Sequence, residues 1–554
     1  MNTVIGCLNS KYIHASLSPW CLLSGVRAFA KEYHNPLVWE GTINGDLLDY
    51  AATIEEMSPQ VAAFSCYIWN VEKTLTLCKI LKDKLDCKII LGGPEVAYRA
   101  KKVLEEYDFV DFVLSGEGEY NFPLLLDELK NENENFHNIF GLTFRKNGEI
   151  ILVPERIETT TPPSPFCKDF FENLRGRICY VETSRGCPYS CAFCLSGRCS
   201  PLRFFDIEQV KKDIISLANS GTKTVKFVDR TFNAKEKRAN EILEFILENI
   251  GKTIPKNVCF HFEIAGDILR ESTLEILKKF PKNSVQLEIG MQSFNEDVLK
   301  NINRKTNTKK LIENINTLIS FGNMHIHIDL IAGLTGEDFE SFRRSFNIGY
   351  SLNAHMLQLG FLKLLHGADM RENSNKYPCE FLDIPPYQVT KTPWLSAEEM
   401  EKISLCEDAL ERMYNSGRFL KTLELLGVGK EISAFDFFLN LGERINGNGL
   451  SLTKYAENLF EILSENYDKK ILRDAIVSDL IISGCHLQIP EALKIKDKKL
   501  SKIKKKLNAK NTQNKFAILY SENKVLVCDY NTSPDLFGRY TATYYPIEYF
   551  DDEE

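Results

Sequence analysis

Through the first 135 residues, short apolar runs alternate with longer stretches in which apolar residues recur three and four positions apart. NTVIGCL, QVAAFSCYI, CKIILGG and FVDFVLSG read as buried strands, and VEKTLTLCKILKDKL reads as a surface helix between two of them. This alternation predicts a doubly wound parallel sheet over residues 1–135, whose ligand crevice is built by loops at the carboxyl ends of the strands. Glycines fall at those ends, in Gly92-Gly93-Pro94-Glu95 and in Gly116-Glu117-Gly118-Glu119. Residues 136–176 read as a hairpin, IFGLTFRKNGEIILVP, turning at Asn147-Gly148, followed by the proline-rich connector TTTPPSPF. The alternation resumes over residues 177–370, with RICYVETS, KTVKFVD, VCFHFEI, SVQLEIGMQ, HIHIDLIAGL and AHMLQLGFL as candidate strands. Six such units suit an incomplete α/β barrel with its active site at the carboxyl ends of the strands. Residues 371–554 change character. Ser396 and Glu399 form a capping-box pattern, and amphipathic helical patterns dominate to about residue 480. KIKDKKLSKIKKKLNAKNTQNK reads as a solvated helix or linker, and FAILYSENKVLVCDYNTSPDLFGRYTATYYP as short strands.

Length and composition narrow the classes. A chain of 554 residues implies about three or four domains, and 44% hydrophobic with 26% charged residues is an ordinary globular balance. A formal net charge of -8 argues against a nucleic-acid partner. No apolar run is long enough to cross a bilayer, so no membrane partner is expected. MNTVIGCLNSKYIHASL lacks the features of a signal peptide, which makes a cytoplasmic location the expectation. In a reducing compartment, sixteen cysteines point to burial or metal ligation, not to a disulfide framework. Cys78, Cys259 and Cys528, scattered in apolar stretches, are expected to be core thiols.

One group is dense enough to carry chemistry. Ser184-Arg185-Gly186-Cys187-Pro188-Tyr189-Ser190-Cys191-Ala192-Phe193-Cys194 follows the first strand of the middle region, in a loop that Gly186 and Pro188 keep irregular. Three thiolates within eight positions can converge, and soft sulfur selects an iron–sulfur cluster, zinc or copper(I). A structural zinc or a simple electron-transfer 4Fe-4S cluster would want four closed ligands. Three cysteines leave one iron open to bind and activate something. Cys199, five positions on, is not needed to complete this loop, and its ligation would close the site.

Cys-x-x-x-Cys-x-x-Cys with an aromatic residue before the last cysteine, just after the first barrel strand, resembles the signature of radical S-adenosylmethionine enzymes. The resemblance runs on through DRTFN, HFEIAG, LEIGMQSFNEDVLKNINR and DLIAGLTGE, each at a strand end. It implies that Cys187, Cys191 and Cys194 hold a 4Fe-4S cluster. It also implies that Phe193, Asp229, Glu263, Gln292, Ser293, Ile331 and Gly333 contact S-adenosylmethionine. The chemistry implied is cleavage of S-adenosylmethionine to a deoxyadenosyl radical, with a flavodoxin or ferredoxin as electron donor. The cofactor carries the hard step, and loss of the cluster under oxygen or at low pH is expected.

The first region resembles the cobalamin-binding domain that many radical enzymes carry ahead of their barrel. That likeness implies cobalamin contacts at Ser65, Gly92, Gly93, Gly116 and Glu117, where small residues would admit the cofactor's nucleotide tail. The Asp-x-His-x-x-Gly element is missing, since the matching stretch WEGTINGDLLD has no histidine, so cobalamin is expected without a histidine below the cobalt. With cobalamin, the reading is a methyltransferase on an unknown substrate. The alternatives are a cobalamin-independent radical enzyme, a methylthiotransferase using Cys7, Cys66 and Cys87, and a cluster-bearing sensor without catalysis. Residues 371–554 resemble an extension of unknown function found on similar proteins, and no catalytic residue can be named. His14, His355 and His366 read as structural. His325, His327 and Asp329 share one strand face, either as a satisfied core group or as a substrate contact. Arg304 and Lys305 follow a helix and could meet a carboxylate.

Overall fold

The computed structural model describes residues 1–198, 201–447, 449–508 and 514–550. The chain divides into two compact units. The first comprises Met1–Gln286, Ile302–Lys305 and Leu362–Val389, and the second comprises Leu287–Asn301, Thr306–Phe361 and Thr390 onward. The six strands expected over residues 177–370 fall partly in each unit.

The first unit opens with β1 (Asn2–Asn9), β2 (Asn35–Thr42), β3 (Val61–Ser65), β4 (Lys88–Gly92) and β5 (Phe112–Leu114), all parallel, in the order β2-β1-β3-β4-β5. Chain order reverses beside β1, which puts a ligand crevice at the carboxyl ends of β1 and β3. Apolar runs explain the inner strands, since Val4, Leu8, Phe64, Ile89, Leu91 and Val113 all lie in one core. The expected hairpin forms as β6 (Leu142–Lys146) and β7 (Glu149–Leu152) and adds antiparallel to β5, so the first sheet reaches past residue 135. Its turn has Asn147 at φ +51° and Gly148 at φ +80°, the left-handed pair that a two-residue hairpin loop requires.

All six expected barrel strands form. In the first unit, β8 (Cys179–Val181) is followed by the small ribbon of β9 (Ser184–Arg185) and β10 (Arg203–Phe204). Next come β11 (Thr224–Phe227) and β12 (Cys259–Ile264), with β11 paired in parallel to both β8 and β12. Then β13 (Val285–Gln292), which lies in the second unit from Leu287 on, precedes β14 (His325–Ala332) and β15 (Met356–Phe361), and the last two pair in parallel. On β13, Leu287, Ile289 and Met291 are buried, while Glu288, Gly290 and Gln292 lie half-buried on the opposite face. Side chains fix the intervening helix starts: Asp206 caps Ile207–Ala218, Asn307 caps Thr308–Phe321, and Asp338 caps Phe339–Ser351.

The remainder of the second unit is mostly helical. Ser396 and Glu399 form the capping box at the start of Ala397–Leu410. The lysine run becomes the helix Lys499–Asn508, whose Ile503 and Leu507 pack on an antiparallel sheet of Asn514–Leu519, Lys524–Asp529 and Ala542–Pro546. Among the described residues, no helix is long and apolar enough to cross a membrane.

Candidate functional site

The cysteine loop begins where β9 ends. Gly186 has φ +96°, a conformation that turns the chain out of the ribbon and that side-chain-bearing residues rarely adopt. Cys191 is buried, and Cys187 and Cys194 are half-buried. The loop is tied down by backbone bonds from Cys194 N to Cys191 O (3.1 Å), from Ala192 N to Ile302 O (2.9 Å), and from Met370 N to Ala192 O (2.9 Å). Polar groups face the sulfurs. Thr231 Oγ1 is 3.5 Å from Cys187 Sγ, the Ser196 amide is 3.4 Å from Cys194 Sγ, and Arg304 Nη1 is 3.8 Å from Cys191 Sγ. Arg304 therefore sits beside the Cys191 sulfur, a place its sequence position did not suggest.

The donor chemistry of three thiolates fits an iron–sulfur cluster with one open iron. Elsewhere among the described residues, Glu288, His327 and Asp329 bring three ligating atoms within 4.8 Å of one another. Cys199 lies outside the described residues. Cys7, Cys66 and Cys87 are buried in the first sheet's core, where burial pushes the Cys7 thiol up to about 12. That is a poor setting for a second cluster. Cys78 and Cys528 are buried as expected, and Cys259 is half-buried.

Asp229, at the end of β11, is 1% exposed and faces inward. Its carboxylate accepts from the Thr183 amide (3.0 Å), from the Thr183 hydroxyl (2.7 Å) and from the Ser184 hydroxyl. Burial pushes it up to about 6 against those three bonds. Asp229 thereby fastens the strand that carries the cysteine loop to its neighbour. Asn233 makes a matching pair of bonds with Ala265, at 2.8 and 2.9 Å. Glu263, on β12, has its carboxylate 3.8 Å from Lys226 Nζ. Phe193 is half-buried within the cysteine loop.

The second unit holds the other four expected S-adenosylmethionine residues at the ends of β13 and β14. Gln292 is at φ +70°, and its side-chain oxygen is buried with no hydrogen-bond partner among the described residues. Ser293 donates to Glu337 at 2.6 Å, and burial pushes that fully buried carboxyl up to about 7. Ile331 is half-buried, and Gly333 is at φ +91°. His327 Nε2 lies 2.7 Å from Asp329 Oδ1, so the shared face of β14 is real, and Glu288 of β13 joins it. His355 accepts from the Ile326 amide at 3.1 Å, a structural role.

Within the first unit a cavity of about 990 Å³ opens at the carboxyl ends of β1, β3, β4 and β5. Ser65, Gly92, Gly93, Gly116 and Glu117 all line it, and so do Tyr180, Glu182, Val228 and Arg230 from β8, β11 and their ends. That volume lies at the upper end for small-molecule sites and suits a large cofactor. His14 also lines it, with Nδ1 2.6 Å from the Tyr180 hydroxyl. The rim is charged. Arg185 bonds Glu117 (2.9 Å), Glu119 (2.8 Å) and Glu182 (2.6 Å), and Arg203 bonds Glu117 as well. Sequence reasoning missed this network, because residues nearly seventy positions apart leave no local signal.

Comparison with known proteins gives three matches along the chain. Residues 181–347 match the radical SAM superfamily, residues 42–126 match the B12 binding domain, and residues 375–530 match a protein of unknown function (DUF4080). A cobalamin-dependent radical SAM methyltransferase, TokK of Streptomyces tokunonensis, is 25% identical over 74% of this chain and 63% of its own length. The 2-(S-pantetheinyl)-carbapenam-3-carboxylate methyltransferase of Streptantibioticus cattleyicolor is 29% identical over 51% of this chain and 44% of its own length. The chain thus spans less than two thirds of either relative. Among solved structures, the cobalamin-dependent S-adenosylmethionine radical enzyme OxsB, with aqua-cobalamin and S-adenosylmethionine bound, matches with a TM-score of 0.62. It is 13% identical and covers 88% of this chain and 80% of that one, a likeness of fold. The middle of the chain thus matches the radical SAM superfamily, the stretch ahead of it matches a B12 binding domain, and the stretch behind it matches a family of unknown function.

Proposed function

We propose that this protein is a cobalamin-dependent radical S-adenosylmethionine enzyme that transfers a methyl group to a small-molecule substrate. One observation carries the reading: all five residues assigned to cobalamin by resemblance line a single cavity of about 990 Å³, whose opposite wall comes from the strands that lead into the cysteine loop. Cys187, Cys191 and Cys194 would hold the cluster, and Phe193, Glu263, Gln292, Ile331 and Gly333 would take S-adenosylmethionine. When bound, these groups supply one-electron cleavage and methyl transfer. The chain's own residues orient and enclose. Asp229 and Asn233 lock the strand ends, and Ser293 with Glu337 braces the end of β13. Asp229 and Ser293, also S-adenosylmethionine contacts by resemblance, brace the site in addition. The electron donor is proposed, by resemblance, to be a flavodoxin or ferredoxin.

Anaerobic reconstitution with S-adenosylmethionine, cobalamin and reductant tests this, with mass analysis for deoxyadenosine and S-adenosylhomocysteine. Both products are expected, together with a full 4Fe-4S complement of iron and bound corrinoid. Cys191→Ala should abolish both products and most of the iron. Retained iron and cleavage in that variant would exclude the assignment.

A further inference from the structure

The region matched to a family of unknown function begins at residue 375, yet Leu362–Val389 belongs to the first unit. That segment clasps itself, with Leu364 N bonding Tyr387 O (3.0 Å) and Val389 N bonding Leu362 O (2.8 Å). Tyr387 sits at φ +57°, and its hydroxyl donates to Glu95 Oε1 at 2.5 Å. His366 Nε2 lies 3.8 Å from the same oxygen, and Arg371 stacks 4.6 Å above the Tyr387 ring. Glu95 and Tyr387 are each 3% exposed, so this bond is made away from water.

What Glu95 holds is the wall of the cavity. Gly92 and Gly93, directly before it, line the cavity, as does Tyr98 just after it. The loop has little freedom on its other side. The Cys66 amide donates to Gly92 O (2.7 Å), the Glu95 amide donates to Cys66 O (3.3 Å), and a Cβ on Gly93 would come within 2.5 Å of Cys66 O. Tyr98 has no room to fall back either, because its ring covers Gly367, where a Cβ would lie 2.3 Å away. Residues 366–387 thus touch the wall at two places, Tyr387 at the Glu95 carboxylate and Gly367 at the Tyr98 ring.

We infer that Leu362–Val389 is the back support of the Gly92–Tyr98 wall, and that Tyr387, acting through Glu95, is a positioning residue for cobalamin. This rests on the proposal that cobalamin fills the cavity. It gives a task to the start of the region of unknown function: holding a cofactor loop that lies almost three hundred positions earlier in the chain.

The test titrates the full-length, anaerobically purified protein with hydroxocobalamin and follows corrinoid absorbance, with iron content and thermal unfolding measured on the same samples. Tyr387→Phe should weaken cobalamin binding about tenfold while iron stays at the wild-type level, since a hydrogen bond to a buried carboxyl is lost. Glu95→Ala should do the same. Glu95→Gln, which keeps an oxygen for the Tyr387 hydroxyl, should bind within about twofold of wild type, and Ser374→Ala, on the exposed side of the segment, should be unchanged. Wild-type affinity in Tyr387→Phe would overturn the inference while leaving the proposed function standing. Loss of iron along with corrinoid in both Tyr387→Phe and Glu95→Gln would overturn it too, since the segment would then hold the fold and not the wall. No corrinoid uptake by the wild-type protein would bring down both readings together.

Discussion

Glu337 shows how a single side chain couples the site's scaffold to pH. It is fully buried against Ser293 and Ser345, and burial lifts its carboxyl from an ordinary 4.5 to about 7. The folded protein therefore keeps this proton to near neutrality, whereas the unfolded chain releases it near 4.5. The resulting stabilisation is present below pH 4.5 and is lost as pH rises through about 7, an effect on the order of 3 kcal/mol. Glu337→Gln should hold its hydrogen bond without that decline. In the cofactor-free protein, the melting temperature of Glu337→Gln relative to wild type is expected to climb between pH 5 and pH 8. A difference that stays constant over that range would mean an ordinary carboxylate. Asp229 teaches a related lesson about reading sequences. Its place after a barrel strand suggested a cofactor contact, whereas the three donors that Thr183 and Ser184 offer it left no local signal, since they stand about forty-five positions earlier.

At the level of elements, strands buried on their inner faces were legible and edges were not. β1, β3, β4 and β5 stand out because both faces are covered and the apolar run is continuous. β2 closes one edge of the sheet with mixed exposure, so Pro36 and Glu40 interrupt its pattern, and it was not among the runs read as buried strands. The Asn147-Gly148 turn was legible because its chemistry is local: two residues with positive φ are needed, and those two supply them. Two glycines separate local from tertiary demands. Gly148 has nothing within 4 Å of the place a Cβ would occupy, so Gly148→Ala should cost only its backbone strain, roughly 1 kcal/mol. Gly93 combines φ +96° with the Cys66 carbonyl 2.5 Å from the corresponding place, and its neighbours cannot yield. Gly93→Ala is expected to lower the melting temperature several times as far and to abolish corrinoid uptake, whereas Gly148→Ala keeps it. Equal effects of the two changes would refute the distinction.

Over the molecule as a whole, the cysteine loop and the glycine loops could be found in the sequence, and the charges that hold them together could not. Arg185 is the example: it stands inside the cysteine motif, but its three partners lie on two separate stretches of chain. Removing it takes the cation from Glu119 and Glu182 in a partly buried setting, while Glu117 keeps Arg203, a loss of about 3 kcal/mol. Arg185→Ala should unfold at a markedly lower temperature, and high salt should recover part of the difference; Arg185→Lys should lose less. An unchanged melting temperature would show that the acids are solvated. The first unit also draws in Ile302–Lys305 and Leu362–Val389, long after its own main stretch ends at Gln286. On a ribosome adding about 5–20 residues each second, the interval between Gln286 and Val389 lasts roughly 5–20 s. Within that delay the cysteine loop has been made, while its anchors follow in turn, Ile302 early and Met370 near the end. The cysteine loop is therefore made before the two stretches whose backbone holds it, and its final shape has to wait for chain that comes up to about 180 positions later.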